Sequence, residues 1–163
     1  MNIDARPPNE TGDVANRGLI RPPFVYLMSL IVGGLLQLSG PLPFGPRALA
    51  VPLGVSLVVV AIALFWFSVA EFRAAGTPVP GHKPSTAIVR TGPYRFSRNP
   101  IYLAFSVFQL GIAIWANSLW LLATLTGALA LIHYVVIPRE EQYLERRFGA
   151  EYSDYKASVR RWL

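Results

Sequence analysis

The stretch IYLAFSVFQLGIAIWANSLWLLATLTGALALIHYVVI, residues 101–137, decides the fold. It reads as two apolar runs, 101–115 and 119–137, with only Ala116, Asn117 and Ser118 between them. A connection that short predicts two antiparallel helices lying side by side. The start of the first run and the end of the second therefore meet at one face of whatever encloses them.

That enclosure is predicted to be a bilayer. Upstream, residues 48–70 form an apolar run with no charge at all, long enough to cross a membrane. Residues 24–39 form a shorter one, about 24 Å at 1.5 Å per residue, and extending it to 42 brings it near a full span. Of the 163 residues, 53% are hydrophobic and 15% charged, and the mean hydropathy is +0.40. A disordered chain needs the opposite balance, and so small a soluble globule has too much surface to hide this many apolar groups. The expected fold is an all-α membrane protein of about four transmembrane helices (24–42, 48–70, 101–115 and 119–137). To these it adds a loop (74–100) and amphipathic C-terminal helices (138–163), in a single membrane domain over 24–163. The polar residues 1–23 read as a retained tail, because a signal peptide needs an apolar stretch soon after a basic start.

Charge gives the orientation. The tail holds three basic residues, the 71–100 stretch five and the C-terminal stretch six, against Arg47 alone on the opposite side. The positive-inside rule then puts both termini and the large loop in the cytoplasm, which for a bacterium means the inner membrane. The net charge of +6 is read as headgroup and topology signal. No nucleic-acid motif accompanies it, so no nucleic-acid partner is expected. Gly33 and Gly34 offer either close helix packing or a kink, and the expected state is a monomer.

Several function classes drop out. There is no cysteine, hence no thiolate metal site or cysteine nucleophile. Two separated histidines make any metal site improbable. His82 lies in the loop and reads as incidental. Neither GxSxG nor GxGxxG is present in its required setting. What remains is a polar cluster brought to one face by the hairpin. Tyr94, Arg95, Arg98, Asn99 and Tyr102 stand before and at the third span, His133 and Tyr134 near the end of the fourth, and Glu140 and Glu141 just beyond it. Singly, each has an ordinary reading as interface aromatic, topology signal or first-turn acid. Together, with Arg98 and Glu140 converging, they form a candidate pocket for a polar cofactor. In the C-terminal stretch, Gly149 is a helix cap, and Tyr152, Tyr155, Val159, Trp162 and Leu163 form a stripe resembling an interfacial amphipathic helix.

Two segments carry a family resemblance. TGPYRFSRNPIYL (91–103) and HYVVIPREEQYLERRFGAEYSDYKASVRRW (133–162) resemble the two motifs of the isoprenylcysteine carboxyl methyltransferase and phospholipid methyltransferase group, in the same order with one helical hairpin between them. The resemblance implies S-adenosylmethionine as cofactor and a lipophilic or lipid acceptor arriving from the bilayer. It implies cofactor contacts at Thr86, Ala87, Ile88, Val89, Tyr94, Asn99, Pro100, Ile101, Tyr102, Tyr134 and Glu140. Arg98 matches the arginine that organises the site, and Glu141 or His133 would serve as base for an acceptor that must lose a proton. Two departures stand out. Asn99 replaces a histidine common in the family and cannot become a cation. Val136 stands where the eukaryotic enzymes carry a substrate-side arginine, which weighs against an isoprenylcysteine substrate. The alternatives are an NADPH-dependent membrane reductase, since sterol reductases share a similar C-terminal region, and a non-enzymatic tetraspan scaffold or lipid-binding protein.

Overall fold

The computed structural model describes residues 21–79 and 84–163. The expected tail up to residue 20, and His82 with its neighbours at 80–83, lie outside the described residues. Every long element among those described is a helix: α1 (Pro22–Ser39), α2 (Arg47–Ala74), α3 (Pro100–Trp115), α4 (Leu119–Leu131), α5 (Ile137–Phe148) and α6 (Ala150–Ser158). A 3-10 turn at Gly92–Arg95 precedes α3, and a π turn at Ile132–Val136 joins α4 to α5. Three helical stretches are long and apolar enough to cross a membrane, Pro22–Ser39, Arg47–Ala74 and Leu119–Phe148, with the shorter Pro100–Trp115 beside them.

Lipid-facing surfaces identify themselves by what they expose. Leu27, Ile31, Leu35, Leu53, Val59, Ile62, Trp66 and Phe67 are all open on the outer faces of α1 and α2. In water these would drive aggregation, and in hydrocarbon they are solvated. Since lipid gives no hydrophobic drive between helices, the bundle is held by close approach and polar contacts. α2 and α3 cross where Gly54 faces Gly111. A Cβ on Gly54 would lie 2.6 Å from the Gly111 carbonyl and 2.5 Å from the Trp115 nitrogen. α1 packs on α4 through Gly33, where a Cβ would sit 3.1 Å from the Leu121 Cα, while Gly34 faces open space. Gly33 thus serves packing, and α1 runs unbroken through the pair.

The α3–α4 turn is built as its sequence indicates. Asn117 takes a left-handed φ of 51°, a conformation asparagine tolerates better than most residues. Its amide side chain accepts from the Phe44 and Gly45 N–H groups at 3.0 and 3.1 Å and donates to the Gly45 carbonyl at 2.8 Å. Ser118 caps α4 by accepting from the Leu121 N–H. Both short loops therefore share one end of the bundle. Arg21, the 84–99 loop and α5–α6 gather at the other, as alternating spans require.

Two boundaries differ from the sequence expectation. α2 continues to Ala74, because Glu71 turns inward, accepting from the Thr91 hydroxyl, while the Arg73 guanidinium lies over the Trp66 ring at 5.8 Å. The helix of the fourth span does not stop at Ile137 but runs on through the π turn to Phe148. The preceding π turn lets Pro138 enter without a break, since proline at the first turn of α5 forfeits no bond that the α-ladder there would have made.

Candidate functional site

A cavity of about 430 Å3 lies at the end of the bundle that holds the large loop, within the size range of small-molecule sites. One wall is apolar: Phe65, Val69 and Phe72 from α2, Ile101 and Phe105 from α3, and Leu144 from α5. The other is polar and aromatic: Tyr94, Arg98, Asn99, Tyr102, Glu140, Glu141, Tyr143, Tyr152 and Tyr155. Ser85, Ala87, Ile88 and Val89 close it from the loop, and Arg21, Pro22 and Pro23 border it at the start of α1.

The loop is held over the cavity by bonds to α5 and α6. Arg147 Nε donates to the Ser85 carbonyl at 2.6 Å, and Arg90 NH2 donates to the Glu151 carbonyl at 2.6 Å. Gly92, with φ +56°, makes the tight entry to the 3-10 turn, and a side chain there would collide with Glu71. That turn buries Tyr94, whose ring meets Phe72 edge-on at 5.2 Å. Tyr155 donates its hydroxyl to the Tyr94 carbonyl at 2.8 Å.

The acids split into two roles. Glu140 is buried and accepts from the Tyr102 hydroxyl at 2.6 Å through Oε1. Among the described residues its other oxygen has no partner. Glu141 is held by two arginines, with Lys156 Nζ 4.0 Å from its Oε2. Arg98 NH2 lies 3.0 Å from its Oε1, and Arg161 grips both oxygens, Nε to Oε1 at 3.1 Å and NH2 to Oε2 at 2.7 Å. Arg98 and Glu140 converge on one cavity as expected, while the arginine's ion pair is with the next residue along, Glu141.

Three polar atoms on cavity-lining residues are buried with no partner among the described residues: the hydroxyls of Tyr94 and Tyr143 and the Nε of Arg98. Buried polar atoms are normally satisfied, so three unpartnered donors on residues around one cavity stand out. Burial also raises the phenols. Tyr155 is pushed up to about 12, opposed by Arg98 and Arg90. Tyr94 and Tyr152 are raised as well, by burial first and then by Tyr155 and Glu71 for the former and by Glu141 for the latter. All three therefore stay protonated donors at neutral pH. The hydrogen bonds from Arg161 to Glu141 raise the Arg161 guanidinium above its usual range, against some desolvation.

Of the residues singled out from sequence, Ala87, Ile88, Val89, Tyr94, Arg98, Asn99, Pro100, Ile101, Tyr102, Glu140 and Glu141 line the cavity. Three do not. Thr86 is exposed, its N–H donating to the Thr77 hydroxyl at 2.9 Å. Tyr134 is 75% exposed on the outer face. His133 sits outside the lining, its Nδ1 accepting from the Trp162 indole at 2.9 Å with the two rings stacked at 17°. That bond occupies the lone pair a base would use. Asn99 lines the cavity but spends its amide on the Arg161 carbonyl at 3.0 Å.

The C-terminal stripe also departs from expectation. α6 ends at Ser158, Tyr152 and Tyr155 are buried in the protein, and Arg160–Trp162 fold back across the site. Tyr143, Tyr152, Tyr155 and Arg161 were thus missed as site residues. The signal for Tyr143 was its place three residues after Glu140 on one helix face. For the tyrosines of α6 it was the stripe itself, which marks a buried face as readily as a membrane-bound one.

The fold and cavity define a class, the small helical membrane proteins with a cavity at one end of the bundle. A family comparison makes it specific. The phospholipid methyltransferase family matches residues 49–151, so the chain belongs to that family. Among curated proteins, it is 39% identical over 73 residues to the nickel-cobalt-cadmium resistance protein NccN of Alcaligenes xylosoxydans xylosoxydans, covering 45% of this chain and 34% of that protein. It is 34% identical over 77 residues to the cobalt-zinc-cadmium resistance protein CzcN of Cupriavidus metallidurans, covering 47% and 35%. It is 44% identical over 64 residues to an uncharacterized protein of Haemophilus influenzae, covering 39% of this chain and 100% of that one. The chain thus spans only about a third of the length of the two resistance proteins. No solved structure matches it.

Proposed function

We propose that the protein transfers a methyl group from S-adenosylmethionine to a lipophilic acceptor drawn from the bilayer. The observation that carries this is the set of unpartnered donors, Tyr94, Tyr143 and Arg98 Nε, on residues that line the same cavity as Glu140. An amino-acid tail needs both signs at once, donors for its carboxylate and an acceptor for its ammonium. Tyr94, Tyr152 and Tyr155 supply aromatic faces for an adenine and for a sulfonium cation. When bound, S-adenosylmethionine supplies a methyl group on a positively charged sulfur.

The chain's own part is then positioning and exclusion of water. The loop stitched down by Arg90 and Arg147 covers the polar wall. Phe65, Val69 and Phe105 offer an apolar wall for the acceptor's tail. Two reactants held in contact and away from solvent gain much of the needed acceleration from orientation alone. Glu141 is held as an ion-paired carboxylate by two arginines, and His133 spends Nδ1 on Trp162, so neither is poised as a base. An acceptor that already presents a free lone pair, such as a carboxylate or an uncharged lipid amine, suits this site best.

The cavity end faces the cytoplasm in this proposal, since among the described residues all the basic ones except Arg47 belong to segments at that end. The protein acts as a monomer among membrane lipids, in the inner membrane if the cell is bacterial. The test is incubation of detergent-purified protein with methyl-labelled S-adenosylmethionine and a total lipid extract. Label extractable into organic solvent, dependent on Glu140, is expected. Label that stays wholly aqueous across carboxylate and amine lipids would contradict the proposal.

A further inference from the structure

Arg161 is not a surface cation that happens to lie near the site. Its segment is fixed by four bonds from two directions. The Arg98 N–H donates to the Arg160 carbonyl at 3.0 Å, the Asn99 amide and the Ser97 hydroxyl donate to the Arg161 carbonyl at 3.0 and 3.4 Å, and the Trp162 indole donates to His133 at 2.9 Å. Held this way, Arg161 takes both oxygens of Glu141. That decides what Arg98 is able to do. A guanidinium beside a free carboxylate adopts a two-bond fork. Arg98 has instead one bond to Glu141, at 3.0 Å through NH2, and one from NH1 to the Lys156 carbonyl at 3.2 Å. Its Nε is left over, buried and unpartnered, on a side chain only 8% exposed.

We propose that Arg161 is a positioning residue: by gripping both oxygens of Glu141 it keeps Arg98 Nε free to bind the carboxylate of the cofactor's amino-acid tail. This rests on the methyltransferase reading above. Without Arg161, Glu141 has an open oxygen, and Arg98 closes onto it with the fork geometry, consuming Nε. Arg161→Ala therefore costs the cavity a donor without touching its walls.

The test compares two ligands on the full chain in detergent, S-adenosylhomocysteine and 5′-methylthioadenosine, which keeps the nucleoside and sulfur but lacks the amino-acid tail. Arg161→Ala is expected to weaken S-adenosylhomocysteine about tenfold or more, the scale of one charge-assisted bond, with methylthioadenosine changed less than about twofold. Arg161→Lys, which restores one bond to Glu141, is expected to fall between. An equal loss for both ligands means a merely structural role and overturns the proposal, as does no loss for either. If Arg161→Ala binds neither because it fails to fold, Arg161→Lys decides by the same ratio, and an unchanged ratio overturns it. Wild-type protein that binds no S-adenosylhomocysteine sinks the parent reading and this one with it. Wild-type binding with an unaltered ratio in the variants sinks this one alone.

Discussion

Tyr102 on α3 donates its hydroxyl to Glu140 on α5 at 2.6 Å, joining two residues separated by the whole α3–α4 hairpin. The bond orients the carboxylate and leaves its second oxygen to the cavity. Tyr102→Phe removes the donor from a buried acid, and an unmet buried acceptor costs about 1–3 kcal/mol. A lowered midpoint in thermal unfolding, followed by circular dichroism in detergent, is expected. An unchanged midpoint would mean that the acid finds another donor.

The crossing of α2 and α3 depends on absent side chains. Gly54→Ala forces a Cβ against the backbone of Gly111 and Trp115, where nothing flexible is able to yield. A loss of about 1–3 kcal/mol is expected from such overpacking. Gly34→Ala meets nothing within 4 Å and is expected to leave stability unchanged or slightly improved. Equal melting curves for the two variants would contradict the packing account.

Asn117 combines a left-handed backbone with three hydrogen bonds to residues 44–45. Asn117→Gly loses the bonds but not the backbone conformation. Asn117→Ala loses both, and the left-handed strain adds roughly 1 kcal/mol. The alanine variant is therefore expected to unfold first in a denaturant series, and the reverse order would count against the turn as described.

Alkaline pH probes the tyrosine layer. The Tyr155 phenol is raised from its ordinary 10.0 to about 12, and Tyr94 and Tyr152 are raised too, each chiefly by burial. Above pH 10 the unfolded chain binds fewer protons than the folded one, so stability falls with rising pH. The contribution is complete below pH 10 and is lost as pH rises through the folded value near 12. Tyrosinate absorbance from these residues is expected to appear together with loss of helical signal. Their titration near pH 10 in an intact fold would contradict their burial.

Much of the bundle was legible because membrane spans announce themselves. The uncharged run 48–70 became α2, and the three-residue link after Trp115 gave the hairpin. The cavity was legible to the extent that residues near Arg98 and Glu140 are forced together by that hairpin. What sequence did not reveal was partner choice. Adjacent acids on a helix, Glu140 and Glu141, differ by about 100° in direction, and which one meets Arg98 depends on the π turn before them. The path of Arg160–Trp162 was hidden for another reason. A stripe of helical period says that a face is apolar, not what covers it. Here the helix ends at Ser158, and the last residues are held by long-range bonds to Ser97, Asn99 and His133.

The most direct measurement is a calorimetric titration of purified protein with S-adenosylhomocysteine, with NADPH as the comparison ligand and Glu140→Ala beside wild type. Saturable binding of S-adenosylhomocysteine is predicted, weakened about tenfold or more by Glu140→Ala, with no binding of NADPH. Absence of S-adenosylhomocysteine binding, or binding indifferent to Glu140, would contradict the account.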